Sequence, residues 1–135
     1  MPEGVDYGPQ FTASTGLSLN YIGKHAYAHS GPVTVTNDSI ECLNFTTGKD
    51  PMIATFYFTT DYNTLGDTKK AGFAIKLNGI TIADQNQQYS TSYEAVMPNT
   101  IKFLIPPFTE VVTIGTTNST NANLFYHTIV GKLYK

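Results

Sequence analysis

The sequence predicts an all-β protein, an antiparallel β-sandwich of the jelly-roll type with an extended N-terminal arm, and three observations lead there. The first is composition. Charged residues make up 13% of the chain, and Thr, Ser, Asn and aromatics take their place, with 9 Tyr and 8 Phe. Thr and the aromatics favour pleated surfaces, whereas Asn and the 11 Gly favour turns. The second is period: no long stretch free of Gly and Pro repeats apolar residues at helical spacing, so no long helix is expected. The third is rhythm, since short alternating runs recur between turn residues at the spacing of a sandwich. A chain of 135 residues holds one core, and residues 17–135 are expected to form a single domain behind an arm at 1–16.

The arm, Met1 to Gly16, scatters Pro2, Gly4, Gly8 and Pro9 among single aromatics, which suits an extended segment better than a packed one. Weaker strand signals follow at Leu17–Ser30, Val33–Thr36 and Ser39–Thr46, divided by Gly31-Pro32 and Asn37-Asp38. In Met52–Thr60, the residues Met52, Ala54, Phe56 and Phe58 share one face and Ile53, Thr55, Tyr57 and Thr59 the other, as in a half-buried strand. Asp61–Ala71 reads as a polar loop. Phe73, Ile75 and Leu77 then alternate, Asn78-Gly79 offers two residues that tolerate positive φ, and Ile80 and Ile82 resume the alternation, so a hairpin is expected. Asp84–Asn99 reads as a second, longer polar loop.

Ile101, Phe103 and Ile105 form an alternating strand that Pro106-Pro107 must stop, because neither proline can donate to a ladder. A new strand starts near Thr109 and runs through Val111, Val112 and Ile114. The last run, Asn123–Tyr134, is apolar on both faces, with Phe125, Ile129 and Leu133 on one and Leu124, Tyr126, Val130 and Tyr134 on the other. Such a strand is either central in a packed sandwich or covered on its outer face by another subunit.

Little in the chain points to chemistry. All 8 basic residues are Lys and the net charge is -2, so nucleic acid is not an expected partner. No apolar window nears the roughly 20 residues of a membrane span, and the first residues lack the basic and apolar regions of a signal peptide. Cys42, the only cysteine, allows no internal disulfide and no multi-cysteine metal site; a buried, inert thiol within a strand is expected. The histidines are His25, His29 and His127. On a strand, His25, Tyr27 and His29 share a face with the two histidines roughly 13 Å apart, too far to bind one metal, which leaves a polar aromatic face that is wet or at a subunit contact. Asp61, Asn63 and Asp67 lack the glycine and terminal glutamate of an EF-hand. The 4 Glu and 6 Asp offer no basis for a catalytic pair, and no nucleophile elbow, P-loop or dinucleotide fingerprint occurs. No catalytic residue, metal ligand or cofactor is therefore expected; a hydrolase on this scaffold would require His127 beside a carboxylate.

The stretch Tyr21-Ile-Gly-Lys-His-Ala-Tyr-Ala-His-Ser-Gly31 and the strand ending Leu-Asn-Phe-Thr-Thr-Gly48 resemble the opening of small structural proteins of tailed bacteriophages. Farther on come Phe73-Ala-Ile-Lys-Leu-Asn-Gly79, Lys102-Phe-Leu-Ile-Pro-Pro107, Thr109-Glu-Val-Val-Thr113 and Ile129-Val-Gly-Lys-Leu-Tyr134. Their order is similar to that of single jelly-roll capsid decoration proteins, over residues 17–134. The resemblance implies a non-enzymatic protein of the virion surface, often a homotrimer, that sits on the major capsid protein and reinforces the shell. It also implies assembly in a host cytoplasm, where a single reduced cysteine is safe. Partner contacts are expected at aromatics: Tyr7 and Phe11 of the arm, Tyr62, Tyr89 and Tyr93 of the two polar loops, and Tyr126 and Tyr134 of the last strand. The other reading is a phage receptor-binding or carbohydrate-binding sandwich, in which Tyr62, Tyr89 and Tyr93 stack on sugar rings while nearby Asn and Gln bond the hydroxyls. If the arm anchors the protein, deleting residues 1–16 leaves the domain folded and abolishes its capsid occupancy. Full occupancy by the truncated chain, measured on sedimented particles, removes the arm from this reading.

Overall fold

A computed structural model describes residues 19–60, 70–88 and 99–134. The arm with Tyr7 and Phe11, and the loop residues Tyr62, Tyr89 and Tyr93, lie outside the described residues. Within them the chain forms strands β1 (Asn20–Ile22), β2 (His25–His29), β3 (Val33–Val35), β4 (Asp38–Thr46) and β5 (Met52–Thr60). It continues with β6 (Lys70–Leu77), β7 (Ile80–Gln88), β8 (Asn99–Ile105), β9 (Glu110–Thr117) and β10 (Asn123–Leu133).

The strands pair as a folded ribbon. β6 pairs with β7, β5 with β8, β4 with β9, and β2 and β3 with β10, all antiparallel. The ribbon then rolls so that β10 also meets β5 and β9 meets β6. Two sheets result: a first of order β1-β2-β10-β5-β8, with β3 also on β10, and a second of order β4-β9-β6-β7. This is the jelly roll, and the strand order distinguishes it from an immunoglobulin-like arrangement of similar strands.

Alternation decides what lies between the sheets. Met52, Ala54, Phe56 and Phe58 of β5 all face inward, as their spacing predicts, and join Leu43, Phe45, Phe73, Ile75, Ile105, Val111 and Ile129 in the main core. The sheets meet where Phe58 stacks on Phe73 of the opposite sheet with centroids 4.0 Å apart, while Phe56 stacks on Phe103 of its own sheet at 4.9 Å. Gly115 admits this closeness, since a Cβ there would stand 2.8 Å from the Phe125 ring and 3.3 Å from the Cys42 sulfur.

Several expectations are corrected. The polar run from Asp84 is not all loop: Asp84–Gln88 continues β7, and Asn99 opens β8. β7 is an edge strand, paired only with β6, so polar side chains are tolerated there. Ala71, placed in the first polar loop by sequence, is a buried residue of β6. Asn78 and Gly79 do turn the hairpin, at φ 50 and 81. A bulge between Ile75 and Lys76 then sets Ala83 opposite Ile75, and Ile80 and Ile82 end 68% and 44% exposed. A second bulge, between Glu41 and Leu43, lets Cys42 and Leu43 both be buried. The doubly apolar β10 is central in its sheet, flanked by β2 and β3 on one side and β5 on the other. Its outer face is covered only in part, with Leu124 and Tyr134 at 36% and 45% exposure.

His127 is fully buried on the inner face of β10. Its Nδ1 lies 2.8 Å from the Thr113 hydroxyl, its ring stands T-shaped to Phe58 with centroids 4.5 Å apart, and Nε2 has no hydrogen-bonding partner among the described residues. Burial lowers the imidazole from its ordinary 6.5 to about 3, so the folded chain keeps it neutral. The unfolded chain takes up a proton there as pH drops below that ordinary value. The neutral ring's contribution is therefore complete above pH 6.5 and is lost as pH falls toward 3. Urea unfolding should give a stability lower at pH 4 than at pH 7 by up to about 3 kcal/mol, and His127→Gln should flatten that dependence. An unchanged slope in the variant would assign the acid sensitivity to other groups.

Candidate interaction surface

Two of the groups weighed for chemistry, His127 and Cys42, are turned inward. His127 stands beside Thr113 and Phe58 rather than a carboxylate. Cys42 is buried, and burial pushes its thiol up to about 12, which keeps it protonated and unreactive. The surface is more informative, in two places.

One place is the outer face of the first sheet. β2 alternates as its sequence predicts, with Ala26 and Ala28 inward and His25, Tyr27 and His29 outward. His25 stacks with Tyr27 at 6.3 Å, and His29 Nδ1 lies 2.8 Å from the Thr128 hydroxyl on β10. Register places Tyr27 opposite Val130, Val130 opposite Thr55, and Thr55 opposite Lys102. The next row runs His25, Lys132, Ile53 and Leu104. Of the residues anticipated as partner contacts, Tyr126 is half-buried on this face and Tyr134 lies exposed just past β10, its ring 5.7 Å from the Lys132 ammonium. None of the strands of this sheet carries an Asp or Glu, whereas Asp38, Glu41, Asp84 and Glu110 all belong to the second sheet.

The other place is one end of the sandwich, where the β1–β2 turn, the β4–β5 connection, the β6–β7 turn and the β8–β9 connection gather. Hydrogen bonds knit it. Thr47, buried, donates its hydroxyl to Pro106 O and accepts from Thr109 N, both at 2.9 Å. Phe108 N donates to Gly48 O at 2.9 Å, and Gly48 N donates to the Tyr21 hydroxyl at 3.0 Å. Glu110 N bonds Asn78 Oδ1, and Tyr134 N bonds Pro51 O, each at 2.9 Å. This rigid end carries the most exposed large apolar residues described: Ile80, Ile22, Phe108 and Leu104 at 68, 67, 65 and 55%.

Phe108 stands apart among them because its φ is 52, in the left-handed region that favours glycine. The other described non-glycine residues there are Asn37 and Asn78, whose short polar side chains tolerate it. Sequence reading missed Phe108. The Pro-Pro stop was plain, but that the next residue reverses the chain in a left-handed conformation follows from the grip of Thr47 and Gly48, sixty positions away.

No protein-family model and no curated protein matches the sequence. Among solved structures, a chain of the T13 viral particle of IBDV aligns over 86% of this chain and 33% of its own length, at 9% identity and TM-score 0.53. A family 35 carbohydrate-binding module from an environmental isolate aligns over 95% of this chain and 88% of its own, at 11% identity and TM-score 0.50. This chain thus spans a third of the viral chain's length and most of the module's. At such identities the likeness establishes the fold: a jelly-roll sandwich of the kind found in a viral particle and in a carbohydrate-binding module.

Proposed function

We propose that this chain is a virion structural protein that decorates and reinforces a phage capsid, docking on the major capsid protein through the end of the sandwich that presents Phe108. The sequence resemblance to decoration proteins supports the class, and the fold is compatible with it. Phe108 carries the choice of surface. Holding an L-residue left-handed costs about 1–2 kcal/mol, and leaving a phenyl in water forgoes about 1.5–3 kcal/mol of burial. Glycine at this position would avoid both costs. A chain that keeps phenylalanine there, on a loop fixed by buried hydrogen bonds, holds an anchor ready for an apolar pocket on a partner.

On this reading the arm reaches a neighbouring subunit, with Tyr7 and Phe11 as its anchors, and the chain assembles as a trimer. Docking acts mechanically: contacts across capsid seams are buried only in the closed shell, so they stabilise that state by mass action.

Phe108→Gly separates docking from folding. The variant should unfold at the same temperature as the parent or higher, with a gain of up to about 1 kcal/mol, while its occupancy on particles lacking the protein falls at least tenfold. Full occupancy by the variant would move the docking surface elsewhere.

A further inference from the structure

On the outer face of the first sheet, well apart in role from the apolar end, lies a concavity of about 170 Å³ lined by His25, Ile53, Thr55, Lys102, Val130, Gly131, Lys132 and Tyr134. We infer that it binds a carboxylated sugar ring, one residue of an acidic polysaccharide. The geometry comes from register. Lys132 on β10 is opposite both His25 and Ile53, and Lys102 on β8 is opposite Thr55, so the two lysines flank β5 from either side. Both are exposed, and no strand of this sheet carries an Asp or Glu to neutralise them. The described carboxylates sit on the second sheet, apart from Asp50 in the β4–β5 connection. Among the described strands of this sheet, an anion entering here meets two ammonium groups and no carboxylate.

The rest of the lining selects a sugar among anions. Ile53 and Val130 form an apolar floor, and the Tyr134 ring stands at the rim beside the Lys132 ammonium, 5.7 Å away. An aromatic rim over an aliphatic floor suits the C–H face of a pyranose, while the Thr55 hydroxyl and the His25 ring nitrogens can bond its hydroxyls. At about 170 Å³ the space is below the roughly 300–1,000 Å³ of sites for drug-sized ligands and has room for one ring. The inference does not rest on capsid docking, because it concerns the free protein and the outer sheet face beside that end, which it meets at Tyr134.

The test is a nuclear magnetic resonance titration of the whole purified chain with sodium galacturonate, against galactose, sodium acetate and a hexaglutamate peptide at equal ionic strength. Saturable shifts are expected at the amides of residues 25, 53, 55, 102 and 130–134 with galacturonate and not with the other three. Lys102→Met and Lys132→Met keep the aliphatic stem and should each weaken binding at least tenfold, whereas Lys76→Met on the second sheet should leave it unchanged. The same spectra show whether each variant is folded. Equal shifts with acetate or hexaglutamate, equal binding of galactose, no saturable shift at these residues, or unchanged affinity in either lysine variant would overturn the assignment.

Discussion

The stacking of Phe58 on Phe73 across the two sheets, with centroids 4.0 Å apart, is the contact from which the rest of the molecule is organised. Phe58 belongs to β5, whose inner row runs Met52, Ala54, Phe56 and Phe58, and the pleat then leaves Ile53, Thr55 and Tyr57 no direction but outward. Because β5 lies between β10 and β8, the same seam fixes the outward rows of those strands, Val130 and Lys132 on one and Lys102 and Leu104 on the other. A slip of one residue would carry Lys102 and Lys132 into the core, so the register that seats the rings also assembles the cationic concavity. His127 sits in that seam, its ring T-shaped to Phe58, and is held neutral by the same burial.

The two outward features differ in kind because they rest on different parts of the fold. The face of the first sheet is a product of strand alternation, rigid and broad, where Lys, His, Tyr and Thr alternate with the core residues. The end of the sandwich is a product of connections, and its rigidity comes from side-chain-to-backbone hydrogen bonds. Buried Thr47 is the centre of that network, since its hydroxyl serves Pro106 and Thr109 together. Strain at Phe108 persists only because those neighbours over-determine the backbone.

Strand identity was legible because alternation and turn chemistry agree locally. Met52–Thr60 matches β5 residue for residue, Asn78-Gly79 makes the turn it spells, and Pro106-Pro107 ends β8. What was not legible depends on long-range placement. Asp84–Gln88 looks like loop by composition, and only its position at a sheet edge allows it to be strand. The bulge at Ile75 and Lys76 exposes Ile82 by shifting register, which alternation alone cannot reveal. On the surface, Tyr134 was anticipated as a contact, but its neighbours Lys102 and His25 are 32 and 109 positions away in sequence and meet it only through β8 and β2. Phe108 carried no local signal, because its strain is imposed by Thr47 and Gly48 of the β4–β5 connection.

The most direct measurement is an electron cryomicroscopy map of particles decorated with this chain. Ordered density should lie on the outer surface of the shell, with the connection through Phe108 against the capsid protein and the face bearing Lys102 and Lys132 open to solvent. A map with that face pressed on the shell and the Phe108 end in solvent would contradict the docking geometry, and particles without bound protein would contradict the function.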